Sequence, residues 1–589
     1  MGPWNGPRGC RVVSARGKAM PFSRPSDMVG SPRPTVHDET LKALREKGSE
    51  LVFGVTAAVG ADVDGLVSNL ETKLPFYGYE ARSIRLSSFL ESIDSTWLRV
   101  KLAASPEFDR IWTHMDAGDA VRKETNCDEA LALWAIASVN AGRKDVALEK
   151  EPLGKRAHIL RTVKHPDEVR VLREVYKSGF YLIALHTPEK DRIERLMTLD
   201  GMSNEDARRL IHRDQGDNEP SYGQHTRDTF QMADVFVPPG PTMGKSLVRF
   251  LDLIFGSALE TPTRDEHAMF MAYSASLRSA DLSRQVGAVL RKDGIGIVGT
   301  GCNDVPAPGG GLYWSDDAEF DKRDLNFPRK GGGPGGHDSN DRHKRDIAAD
   351  VVKRVHDDVA DAVERIYKEC AKQIAIGGGH AYADEHVRLV AAQEMASLDR
   401  TLRASLLKSR VFDITEFGRA VHAEMEAILS CTRSGISTRG ATLLCTTFPC
   451  HNCAKHIVDA GIRRVVYIEP YPKSQAMDLH RDSIMLDESF SVGTTPSENW
   501  GSERNNIEPA RPVAFQPFIG IGPRRFVDLF SMHLSSGLPL RRKDKETGDA
   551  VSFDRAQSSV RVPMSTSSYM EREDRLVTTV IAQLMETSK

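Results

Sequence analysis

Apolar residues along this chain fall into short continuous runs alternating with helical stripes. Leu51-Val52-Phe53-Gly54-Val55-Thr56 is one such run, the pattern of a strand covered on both faces. Residues 63–74 then carry the spacing of an amphipathic helix. Residues 157–163 and 180–185 read as further strands, and His165-Pro166-Asp167-Glu168 opens a helix between them. A helix over 188–197 precedes an Arg- and Asp-rich, lid-like stretch at 208–214. Further on, residues 285–291 and 295–301 flank Lys292-Asp293-Gly294, a hairpin signal. Residues 423–430 predict a helix, 441–447 a strand, a short helix ends at Gly461, and 464–469 is another strand. Between these blocks, Val351, Val355, Val359, Val363 and Ile366 recur at helical spacing, as do Val387, Met395, Leu398, Leu402 and Leu406. Those stripes suit packing or subunit contacts.

Strands alternating with helices predict an α/β protein. Its expected parts are a three-layer half at 48–258, whose outline resembles the P-loop nucleotide kinases, and an α/β/α half at 259–500, with a helical insertion at 315–420. A tail at 1–47 and a partly disordered extension at 501–589 complete the plan. At 589 residues, three or so domains each have ample core. A net charge of -3 offers no global basic footprint for nucleic acid. The first 35 residues hold six basic side chains against one acid, Asp27, and read as a disordered tail rather than a targeting segment. Eight cysteines give no disulfide framework, and no apolar run is long enough for a membrane span, so a reducing cytoplasm is expected.

The chemistry concentrates in His422-Ala423-Glu424 and, later, Pro449-Cys450-His451-Asn452-Cys453. His422, Cys450 and Cys453 are ligands of the kind that hold Zn2+ in a catalytic site with one position left for water. Glu424, two residues after the histidine, is placed to act as general acid and base. Cys450 and Cys453 fall on one face of a helical turn, at a helix N-terminus whose dipole favours thiolate. Cys302, Cys431 and Cys445 read as small core residues, and His451 and His456 as exposed helix positions.

The segment from Gly54 through Gly60 to Ala61-Asp62 has the strand, loop and helix setting of a phosphate-binding loop. It lacks the lysine and hydroxyl of the active motif, and Asp62 brings a negative charge, so phosphoryl transfer is not expected. Gly54, Gly60 and Asp62 mark a degenerate nucleotide-binding loop.

The His-x-Glu and Pro-Cys-x-x-Cys pair is the signature of zinc nucleobase deaminases. With Ser283-Arg284-Gln285-Val286-Gly287-Ala288-Val289, Gly301-Cys302-Asn303-Asp304-Val305-Pro306 and Trp314, the chain resembles the deoxycytidylate deaminases. The N-terminal half, the insertion and Phe515-Gln516-Pro517-Phe518-Ile519-Gly520-Ile521-Gly522-Pro523-Arg524-Arg525-Phe526 resemble the bacterial anti-phage deoxycytidine-nucleotide deaminases, over roughly residues 48–545. That resemblance implies conversion of dCTP, dCMP or both to uracil nucleotides, with dCTP depleted during phage infection. It implies substrate contacts from Asn303 and Ala423. Arg524 and Arg525, or Lys473 with Ser474, are candidates for the phosphate. A regulatory nucleotide or a small RNA inhibitor is expected at the N-terminal half, and a homo-oligomer overall. The rivals are a housekeeping dCMP deaminase, a polynucleotide editor and a non-enzymatic zinc module.

Overall fold

The computed structural model describes residues 49–93, 97, 99–144, 153–215, 223–326, 336, 338–376, 383–414, 416–471, 473–488, 511–534, 537–564 and 566–587. The N-terminal tail, most of the glycine-rich run at 331–336 and His337 lie outside them.

The fold class is the expected one, mixed α/β with two parallel-dominated sheets. In the first, β1 (Leu51–Ala57), β2 (Glu80–Arg85), β3 (Arg156–Arg161), β4 (Phe180–Leu185) and β5 (Val235–Val237) run parallel in the order β2-β3-β1-β4-β5. β1 and β4 are buried at every position, which is why they read as unbroken apolar runs. Helices cover both faces. On one lie Leu66, Leu70, Leu247 and Phe250, and on the other Val139, Val169 and Leu172.

The second sheet is built from β6 (Gly287–Lys292), β7 (Gly296–Cys302), β8 (Thr442–Thr447), β9 (Arg464–Glu469), β10 (Ile484–Leu486) and β11 (Val513–Pro517), in the order β7-β6-β8-β9-β11-β10. The β6–β7 hairpin turns at Lys292-Asp293-Gly294 as predicted, and Gly294 takes φ 76°. The insertion forms two long helices, Ser339–Ile376 and Ala383–Leu407.

The two sheets share a core. Val289, Leu444 and Val466 of the second sheet belong to the same buried cluster as Leu182 and Phe236 of the first, with Ala268, Met269 and Ala272 of the helix Arg264–Ser276. The aromatic run at 515–526 is the strap that ties them. Phe515 is buried in the second sheet, and Phe518 meets Phe236 edge to face at 5.7 Å. β12 (Gly520–Ile521) then pairs antiparallel with β5, and the Ile521 amide donates to Glu266 at 2.8 Å.

Before the last helix, Val560, Arg561, Val562 and Met564 of the C-terminal extension are buried. The terminal helix Thr566–Thr587 brings Glu573 and Tyr569 to a buried ion cluster with Arg143 and Glu50. Burial alone would raise the Glu50 carboxyl, yet hydrogen bonds with His158 and Arg143 hold it at about 2.

Candidate active site

Two helices aim their N-termini at one point. His422 is the N-cap residue of the helix Ala423–Arg433, and Cys450 is the N-cap residue of His451–Asp459. An N-cap side chain ordinarily turns back to accept a backbone N–H. Neither does so here. They face each other, with His422 Nδ1 3.3 Å from the sulfurs of both Cys450 and Cys453.

Glycine sets the position of the first helix. Gly299 and Gly301 lie on one face of β7, and a Cβ at either would strike the Ala423–Arg433 helix, at Ala427 O and Cys431 Sγ or at Ala423 O. The bare strand face lets the helix sit directly on the sheet. Parallel pairing of β8 with β9 fixes the second helix between them.

The donor set fits zinc. A tetrahedral ion with bonds of roughly 2.1–2.3 Å separates its ligand atoms by about 3.5 Å. The three ligand atoms all lie within 4.8 Å of one another, and the two nitrogen–sulfur separations are close to the ideal edge. Of the three, only Cys450 leans toward its ligand form, while His422 and Cys453 lean toward the protonated forms that a bound ion would displace. The hydrogen bond with Cys453 draws the Cys450 thiol down to about 4, toward the thiolate. His422, hydrogen-bonded to Cys450, is pushed up to about 9, while burial pushes the Cys453 thiol upward. Glu424, 5 % exposed, has its carboxyl raised by burial, and it interacts with His422, Cys450 and Cys453. A buried carboxyl with a raised pKa is suited to holding and releasing a proton.

The structure therefore brings His422, Glu424, Cys450 and Cys453 together, and it places other predicted residues differently. Ala423 is wholly buried, packed on β7 at Gly301. Asn303 is buried beside the site, but its amide is engaged: Oδ1 accepts from Val286 N at 2.7 Å and Nδ2 donates to Arg284 O at 2.8 Å. Lys473 is exposed on a loop that Ser474 ties to the zinc-site turn by donating to Pro449 O at 2.8 Å. Arg525 is a correction. Its guanidinium is buried against the first sheet, donating to Phe180 O, 3.4 Å from Asp234 and over the Tyr181 ring. It clamps the strap to β4 and β5 instead of holding a phosphate, and Arg524 beside it points to solvent. Gly54 is a second correction, because it lies inside β1, paired with Leu160 and Leu182. A Cβ there would come 2.9 Å from the Phe180 ring, so glycine serves packing and the loop itself starts at Ala58.

Arg284, Glu469 and Tyr471 lie at the edge of the cluster, a position that the sequence does not mark. Arg284 donates to Glu469 at 2.9 Å and lies over the Tyr471 ring at 5.1 Å. Glu469 accepts from Thr447 Oγ1 at 3.0 Å, and its carbonyl takes the Phe448 amide, two residues before Cys450. A cation and an anion thus border the cluster. Arg284 was visible as part of a motif, but nothing in its spacing disclosed the contact with a residue 185 positions away.

Residues 262–469 match the family described as the cytidine and deoxycytidylate deaminase zinc-binding region. The deoxycytidylate deaminase of enterobacteria phage T2 is 40% identical over 80 residues, 14% of this chain and 41% of that protein. ComE operon protein 2 of Bacillus subtilis is 49% identical over 53 residues, 9% of this chain and 28% of its own length. The chain thus spans less than half the length of these curated relatives. Among solved structures, the dCMP deaminase of cyanophage S-TIM5 in complex with dCMP and dUMP aligns at 17% identity over 38% of this chain and 93% of that one, with a TM-score of 0.19. Shikimate kinase from Acinetobacter baumannii aligns at 14% identity over 37% and 99%, with a TM-score of 0.21. The zinc-ligand motifs and Glu424 fall inside the segment that matches the deaminase family.

Proposed function

We propose that this protein is a zinc-dependent hydrolytic deaminase of deoxycytidine nucleotides, converting dCMP, dCTP or both to the uracil nucleotide and ammonia. The observation that carries this reading is the buried Glu424 carboxyl beside the His422, Cys450 and Cys453 cluster. His422, Cys450 and Cys453 would hold the ion. When bound, zinc supplies the Lewis acidity that makes water a nucleophile at neutral pH.

Glu424 does the proton work. It accepts a proton as water oxygen bonds to C4 of the ring, and gives it to ring N3. It then carries a second proton to the amino group, so that the C4–N bond breaks, ammonia leaves and a carbonyl remains at C4. Arg284, exposed at the rim, is our candidate for the 5′-phosphate. Asn303 orients that residue through its bond to Arg284 O and is our candidate for the sugar.

We extend the reading to dCTP depletion in phage defence, with the N-terminal half restraining the deaminase in response to a small RNA, or to a nucleotide bound elsewhere than at the loop after β1. What favours this over housekeeping dUMP supply is the amount of added structure, since most of the chain lies outside residues 262–469. The reading expects a cytoplasmic homo-oligomer, using the exposed Val351, Val355, Val363 and Ile366 of the long helix. No helix among the described residues is long and apolar enough to cross a membrane.

Ammonia release by zinc-loaded protein tests this on dCMP, dCTP, CTP, deoxycytidine and a short single-stranded DNA. Turnover of dCTP is expected. Turnover of dCMP alone would select the housekeeping enzyme, and turnover of DNA alone would replace the substrate class.

A further inference from the structure

A strand, a loop and a helix together offer backbone N–H groups to an anion. In this protein the loop after β1, Ala58–Asp62, is filled by the chain's own carboxylates. Asp214, fully buried at the end of the helix Asn204–Gln215, accepts a hydrogen bond from the Val59 amide at 2.8 Å. Its other oxygen takes the Lys164 ammonium at 2.7 Å and the Thr226 hydroxyl at 3.0 Å. Lys164 arrives from just beyond β3 and also donates to Ala57 O at 2.6 Å, so one lysine spans the start of the loop and the carboxylate.

Asp62 occupies the other end. It is the N-cap of the helix Val63–Lys73, accepts from the Gly65 amide at 3.2 Å, and lies 3.1 Å from Arg195. The outside is closed as well. Gly60 adopts φ 84° against the helix Glu189–Thr198, and a Cβ there would come 2.9 Å from Arg192 O.

Each carboxylate therefore has a basic partner, and the Val59 donor is already taken. A phosphate entering beside Asp214 would meet a buried negative charge and compete for the same N–H and the same ammonium. We propose that Asp214 is a built-in anion that shuts this loop: its carboxylate stands where a nucleotide phosphate would stand and latches the helix Asn204–Gln215 over the opening. The N-terminal half keeps the outline of a phosphate-binding unit and supplies the anion itself.

The test is equilibrium binding of MgATP to the zinc-loaded full chain. ATP carries no cytosine, so success or failure of the deaminase reading leaves this result untouched. Wild type is expected not to saturate at millimolar ATP. Asp214→Asn, which removes the charge and keeps the shape, should bind at least about tenfold more tightly. Adding Lys164→Met should remove that gain. Equal affinity in wild type and variant, or no binding by a folded Asp214→Asn protein, overturns the proposal. Amide hydrogen exchange on wild type decides the matter if the variant does not fold. The Val59 amide should exchange as slowly as the amides of β1, and fast exchange there would rule out the latch.

Discussion

The zinc-ligand cluster and the loop after β1 begin from the same physical opportunity, a helix N-terminus with a carboxylate close by, and they use it in opposite ways. At His422 and Cys450 the N-cap side chains decline to cap, and the ligand atoms of one histidine and two cysteines converge. The donors are of the kind that close around a cation. At the β1 loop Asp62 does cap its helix, and Asp214 takes the Val59 amide with Lys164 as its counter-ion. That arrangement is complete from within. A cluster neutralised by its own chain must give up an internal partner before a ligand can take its place.

Removing a soft ligand should break the contrast most severely. Cys453→Ser is expected to lose zinc and turnover together, read by metal analysis and ammonia release, while the fold of the N-terminal half persists. A chelator should do the same reversibly, and zinc should restore activity.

The self-neutralised pattern recurs at Arg143, between Glu50 and Glu573. Arg143→Met removes the guanidinium shared by two buried carboxylates and should cost about 3–5 kcal/mol, measured by denaturant unfolding. The same cluster has a pH signature. The Glu50 carboxyl is lowered in the folded state from 4.5 to about 2, so its contribution is present above the unfolded value and is lost as pH falls through about 2. The stability difference between wild type and Glu50→Gln should shrink over that window.

At the rim of the zinc site, Arg284→Ala removes a charge-assisted contact of roughly 1.5–3 kcal/mol. It should raise KM about tenfold or more for nucleotides and leave deoxycytidine unchanged. Equal losses on both substrates would remove Arg284 from phosphate recognition. Gly60→Ala sharpens the other side of the comparison. A positive φ and the contact with Arg192 O predict a loss of about 1–2 kcal/mol with no effect on deamination.

Much of this was legible because ligands and strands leave local marks. Residues 180–185 and 464–469 were read to the residue, the first because it is apolar and buried throughout and the second because an apolar centre, Val465-Val466-Tyr467-Ile468, lies between charged ends. The ligand set was legible because metal chemistry restricts residue type and helical spacing. Long-range partners left no such mark. Arg525 looked like half of a phosphate clamp because Gly-Pro-Arg-Arg carries no trace of Phe180 or Asp234, hundreds of positions earlier. Asp214 read as part of a charged lid, although it is fully buried and paired. The C-terminal stretch looked too polar to order, yet a few spaced apolar residues, Val560, Val562 and Met564, were enough to dock it.

The most direct test of the account is Glu424→Ala beside wild type, each with its zinc content measured, assayed for ammonia release from dCMP and dCTP. The account predicts that both proteins hold zinc equally, and that the variant loses turnover by roughly 10²–10⁴-fold. Undiminished turnover in the zinc-loaded variant, or none in zinc-loaded wild type on either nucleotide, would contradict it.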